Sequence, residues 1–215
     1  MPHNPYTPPT AQVDGVVEKT AFDFSNMIDY SFTPKQLWWA GICCVFGVLL
    51  AIPYLAMAVM VESIPALKSI LVITIFVMTA LSIYAYLIFK KLLSEKSGYR
   101  AANLGISLYI VASIITALTA PFTNSADNSM FTTVLSVVEL IAFGGLAIYL
   151  GIKLLRCEDP LFGQIKPIAY LTLAMGITLA SVILALLGVL ISFALGIAMA
   201  LMFFRASKAL AMVQA

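Results

Sequence analysis

The sequence predicts an all-α protein, a polytopic transmembrane helix bundle with six crossings arranged as three hairpins. Composition is the first reason. Of 215 residues, 62 % are hydrophobic and 10 % charged, against roughly 45–50 % and ~25 % in soluble domains, and mean hydropathy is +1.02. The second is the stretch from Pro167 to Phe204, which carries no charge between Lys166 and Arg205. As one helix it would run about 57 Å at ~1.5 Å per residue, well past a hydrocarbon core of roughly 30 Å. Two crossings folded back near Gly188 avoid that exposure and return Arg205 to the side of Lys166. The third reason is where the cations fall. With six crossings, Lys19, Lys35, Lys90, Lys91, Lys96, Arg100, Lys153, Arg156, Lys166, Arg205 and Lys208 share one side, and Lys68 stands alone on the other. The positive-inside rule then places both termini in the cytoplasm.

Taken in order, residues 1–33 read as a cytoplasmic, proline-rich tail, with Pro2, Pro5, Pro8 and Pro9 removing backbone donors near its start. Within it, Phe24, Met27 and Ile28 have helical spacing, which suits either a short interfacial helix over 20–30 or a partly ordered linker. Thr33-Pro34 supplies an N-cap and a first-turn proline. The transmembrane domain spans 34–206. Its first crossing is expected at about 37–61, with Trp38 and Trp39 at the interface and a kink at Pro53. The second follows at 67–89, ending in Lys90-Lys91. The third, 103–120, is stopped by Pro121, and a polar loop precedes the fourth at 131–152. LFGQIK, 161–166, is expected at the membrane interface. The last hairpin is expected at 167–186 and 189–205, and 207–215 form a cytoplasmic tail.

Few residues inside the crossings can do chemistry. Glu139 is the only acid well inside one, where a charge costs ~2.5–3.5 kcal/mol on insertion scales, so it should face the bundle and find donors. Thr132, Ser136, Glu139, Phe143, Ala147 and Gly151 share a helical face. Tyr109, Ser113 and Thr116 on the third crossing form a facing set, with Ser113 and Thr116 expected at the depth of Glu139. This polar cluster reads as an interhelical anchor or as a proton or cation site. Two ridges of small residues follow four-residue spacing: Thr172, Gly176 and Ala180, then Gly188, Ser192, Gly196 and Ala200. Such ridges allow close backbone approach in lipid. Packing within the closing hairpin, or pairing of chains, would use them.

Other chemistry is poorly supported. Cys43 and Cys44 are adjacent in an apolar run, Cys157 lies in a basic loop, and His3 is the single histidine. No metal-ligand spacing or cofactor pattern is present, nor a phosphate loop, HExxH or GxSxG motif. Catalysis is not expected. A net charge of +2 is too small to suggest a nucleic-acid partner.

Asn4-Pro5-Tyr6-Thr7-Pro8-Pro9, followed by Val13, resembles the NPYxPP-type leader of small multi-spanning bacterial inner-membrane proteins, many of them uncharacterised. The resemblance covers about ten residues and implies a multi-pass protein of the bacterial inner (plasma) membrane. The expected function is a non-enzymatic structural or accessory packing and interaction module, with the lipid bilayer, a second copy or other membrane proteins as partners. The alternatives are a minimal transporter or channel with Glu139 facing a polar path, and a membrane-embedded lipid-modifying enzyme.

Overall fold

The structure, a computed structural model, describes residues 31–60, 64, 66–123, 130–159 and 161–214. The proline-rich segment with its interfacial stretch over 20–30 and the polar loop 124–129 lie outside these residues. Among the described residues every element is helical: α1 Pro34–Met60, α2 Leu67–Lys96, α3 Asn103–Thr123, α4 Met130–Leu155, α5 Ile165–Ala180 and α6 Ala185–Gln214. Five are long and apolar enough to cross a membrane. The 16-residue α5 reaches about 24 Å.

α1 begins with a reciprocal cap. The Gln36 amide N–H donates to Thr33 Oγ1 at 3.2 Å, while the Thr33 amide donates to Gln36 Oε1 at 3.0 Å. This satisfies two donors that a helix start leaves unpaired. Flanking Phe32 and Leu37 are both buried in the core. Pro53 and Pro121 lie inside α1 and α3 rather than ending them; α3 continues to Thr123, past its expected stop. α2 runs on to Lys96 because Leu92 and Leu93 are fully buried. It ends where Gly98, at φ 64°, lets the Tyr99 amide reach back to the Leu93 carbonyl.

Each helix packs on its neighbours in sequence, and α1 closes on α6, making a ring. Contacts near the chain's basic residues show that neighbours are antiparallel. Tyr84 Oη, late in α2, donates to the Gln36 carbonyl, early in α1. Lys90 donates to Ser107 Oγ at 2.8 Å across α2 and α3. Ser207 Oγ, late in α6, donates to the Pro34 carbonyl at 2.8 Å. One end of the ring therefore carries every described Lys and Arg except Lys68. The fully buried phenylalanines Phe32, Phe89, Phe162 and Phe203 gather at this basic end.

The structure also revises the closing hairpin and the segments beside it. The closing turn lies at Ser181–Leu184, not at Gly188, which is inside α6. The Ser181 hydroxyl accepts from the Leu184 amide at 3.2 Å and starts α6. Gly188 serves close approach instead: a Cβ there would lie 2.8 Å from Thr178 Oγ1. The expected tail 207–215 is helical through Gln214, because Ala206 and Leu210 are wholly buried. In the segment 161–166, Leu161 and Phe162 are buried in the core.

Candidate functional site

Two adjoining, partly open cavities lie among the helices. The first, about 190 Å³, is lined from α1, α2, α3, α5 and α6, and includes Cys44, Ser82, Tyr86, Tyr109, Ser113 and Ser192. The second, about 210 Å³, is lined by Tyr54, Ile75, Met78, Thr79, Ser82 and Ser113. Met78, Ser82 and Ser113 border both, so the two stack along the bundle. Tyr54 and Ile75 sit within eight residues of the non-basic ends of α1 and α2. The space thus lies at mid-bundle and beyond, away from the end closed by large side chains. Its walls are mainly apolar with several hydroxyls, the character of a site for a small neutral or amphipathic group.

The six predicted polar residues separate into different settings. Glu139 Oε1 accepts from Thr119 Oγ1 at 2.6 Å, so its partner on α3 lies one turn beyond Thr116. This corrects the expected pairing with Ser113 and Thr116. Ser113 Oγ donates to its own helix at the Tyr109 carbonyl and borders the cavities. Ser136 Oγ likewise donates to the Thr132 carbonyl. Tyr109 bridges three helices, its ring centroid 4.9 Å from Tyr86 and 5.1 Å from Phe143. Neither cavity is lined by Glu139.

The small-residue ridges find the expected partner only in part. Gly176 and Ala180 pack on α4, and Thr172, one turn before Gly176, is buried. A Cβ on Gly144 would fall 2.6 Å from the Ala180 amide nitrogen, and one on Gly176 would fall 2.6 Å from that of Ile148. Gly151 and the fully buried Ala147 continue the seam. The second ridge divides: Gly188 meets α5, Ser192 borders the cavity, and Gly196 meets Val48 on α1. Ala200 is buried. Pro53 is exposed, next to cavity residue Tyr54.

Sequence reasoning missed a polar knot at the basic end. Lys96 Nζ pairs with Asp159 at 3.0 Å and lies 5.0 Å from the Phe162 ring centroid. Asp159 Oδ1 accepts from the Leu161 amide at 2.7 Å. Arg205 Nη1 donates to the Phe162 carbonyl at 3.1 Å. Together these hold Leu161, Phe162 and Gly163 at φ 42°, 59° and 77°, a left-handed run that costs non-glycine residues roughly 1–2 kcal/mol each. Burial pushes the Cys157 thiol upward from its ordinary pKa, and its Sγ faces the Asp159 carbonyl at 3.7 Å. A signal for the cavity was legible: Thr79, Ser82 and Tyr86 have i, i+3, i+7 spacing on α2. None existed for Lys96, which reads as one more topogenic cation.

Among the described residues, no three His, Cys, Asp or Glu side chains converge as a metal site. No family model, curated protein or solved structure matches the chain.

Proposed function

We propose that this chain is a non-enzymatic, multi-pass protein of the bacterial inner membrane that works as a packing and interaction module, with both ends at the cytoplasmic face. The observation that carries this reading is the engagement of Glu139. Glu139, the one acid in the middle of a helix among the described residues, is hydrogen-bonded to Thr119 between α3 and α4, and does not border either cavity. An anchor between two helices accounts for that placement. The outer surface supports lipid as its surroundings, since Leu49, Ile73, Val111, Leu118, Val138 and Ile197 all face outward. Segregation of the cations to one end supports the orientation, with the short α5 crossing as the sixth span.

Purified protein in sealed liposomes tests this reading. Proton and potassium leak should match protein-free vesicles, for the wild type and for Glu139→Gln alike. A flux that the wild type supports and Glu139→Gln abolishes would replace the module with a transporter. The transporter alternative has one observation in its favour, the hydroxyl-lined space at Tyr54, Thr79, Ser82 and Ser113. It requires Ser113→Cys, in a chain otherwise free of cysteine, to react with a membrane-impermeant maleimide; the module reading expects it to stay unmodified.

A further inference from the structure

The first cavity is unusually rich in sulfur. The chain has three cysteines and ten methionines among 215 residues, so eighteen lining residues would carry about one by an even spread (13/215 × 18). Five are there: Cys43 and Cys44 on α1, Met78 on α2, Met175 on α5 and Met199 on α6. Methionine in a core ordinarily fills irregular gaps. Here the sulfur-bearing residues surround about 190 Å³ of space instead. The same wall contributes no carboxylate, imidazole, ammonium or guanidinium group. Its donors are thiols, thioethers and hydroxyls.

This donor set discriminates between cations. Hard ions such as Mg²⁺ and Ca²⁺ need several oxygens, usually with carboxylate charge. Thiolate and thioether sulfur favour soft ions, Cu(I) above all. Charge balance points the same way. With Cys44 as the one ionised ligand and Cys43 left protonated, a monovalent ion gives a neutral site, whereas a divalent ion would leave an uncompensated charge that burial penalises.

We infer that the cavity binds a soft monovalent metal ion, Cu(I), through the thiolate of Cys44 and the thioethers of Met175 and Met199. Cys44 packs against the buried core, and its carbonyl lies 3.9 Å from the position a Cβ on Gly196 would take. Met199 follows less than one turn later on α6, and Met175 and Met199 are both buried. On binding, the Cys44 S–H bond breaks, an S–Cu bond forms, and the proton passes to solvent. Copper stays Cu(I) throughout. The inference goes beyond the module reading and holds whether or not the protein moves ions.

Full-length protein in detergent, titrated anaerobically with Cu(I) against the chelator bicinchoninate, is the test. The expected result is one Cu(I) per chain with about one proton released. Cys44→Ser, and separately the pair Met175→Leu with Met199→Leu, should weaken binding at least tenfold, while Cys157→Ser should not. No stoichiometric uptake, uptake lost with Cys157→Ser, or affinity unchanged in either cavity variant overturns the site. A second measurement needs no variant: Ag(I) should protect Cys44 of the wild-type chain from alkylation while leaving Cys157 unprotected, read by peptide mass spectrometry. Equal protection of both thiols, or of neither, would also overturn it.

Discussion

Lys96 Nζ lies 3.0 Å from Asp159 Oδ2, with 3 % of the lysine side chain exposed and 22 % of the aspartate. The pair joins the end of α2 to the α4–α5 connection, across the ring from its immediate sequence neighbours. Taking either partner away leaves a shielded charge without compensation, and removing Asp159 also frees the left-handed turn at Leu161–Gly163 from its tether. Lys96→Met and Asp159→Ala should each cost about 2–4 kcal/mol, seen as a lowered midpoint in thermal unfolding followed by the fluorescence of Trp38 and Trp39. The double variant should recover part of the loss. Strictly additive losses would show that the two groups are not coupled.

Two adjacent glycines in α4 should behave oppositely. A Cβ on Gly144 meets the Ala180 amide nitrogen at 2.6 Å, while one on Gly145 meets nothing within 4 Å. Gly144→Ala forces α4 and α5 apart and should destabilise by about 1–3 kcal/mol. Gly145→Ala should be neutral or stabilise by up to about 1 kcal/mol through helix propensity. Equal effects in denaturant titration would contradict a backbone-to-backbone seam.

The Thr119–Glu139 hydrogen bond should register as a modest coupling. Interhelical hydrogen bonds in membranes are worth about 0.6 kcal/mol on average and reach about 1.7. A double-mutant cycle of Thr119→Val and Glu139→Leu should give a value in that range. Glu139→Gln should lose little, since its amide oxygen still accepts from Thr119. Zero coupling would assign the carboxyl to another partner.

Val182 holds φ 57° in the α5–α6 turn, a conformation that disfavours a β-branched residue. Val182→Gly should therefore stabilise the fold by about 1 kcal/mol, unlike nearly all glycine substitutions. A lower unfolding midpoint would mean that the turn is not left-handed there.

Cys157 supplies the pH dependence. Burial raises its thiol pKa in the folded chain, so its contribution is complete below the unfolded thiol value. It is lost as pH climbs through the folded one, because the unfolded chain ionises first. Between pH 7 and 10.5, wild type should lose more stability than Cys157→Ala. Alkylation of Cys157 at pH 7.5 should be slower than that of a free thiol. Parallel stability profiles for the two chains would remove burial as the cause.

The helical class, the membrane character and the six segments were legible because hydropathy and charge are sums over neighbours in the chain. Glu139 was legible as a residue that must find a donor, since one acid in an apolar helix is costly wherever the helix lies. Which donor it finds was not. Thr116 and Thr119 differ by about 4.5 Å along α3, and the choice follows from the axial offset between α3 and α4, which the sequence pattern does not fix. The Thr172–Gly176–Ala180 ridge was visible in the same way, while its partner was not. A ridge of small residues shows where a helix can approach closely, and the rotation of its neighbours selects the helix that arrives.

Composition and spacing alone thus determined an apolar, helical chain whose cations segregate to one end. Only the tertiary structure decided that α1 closes on α6, that α4 and α5 meet backbone to backbone, and that five sulfur-bearing residues surround one cavity. It also decided that the last turn falls at Ser181–Leu184, where a serine cap acts, and that Gly188 serves packing. The physical reason is that hydrophobic periodicity fixes which face of a helix is buried but not its depth or its partner. A shift of one turn, about 5.4 Å, leaves the pattern unchanged and replaces every contact.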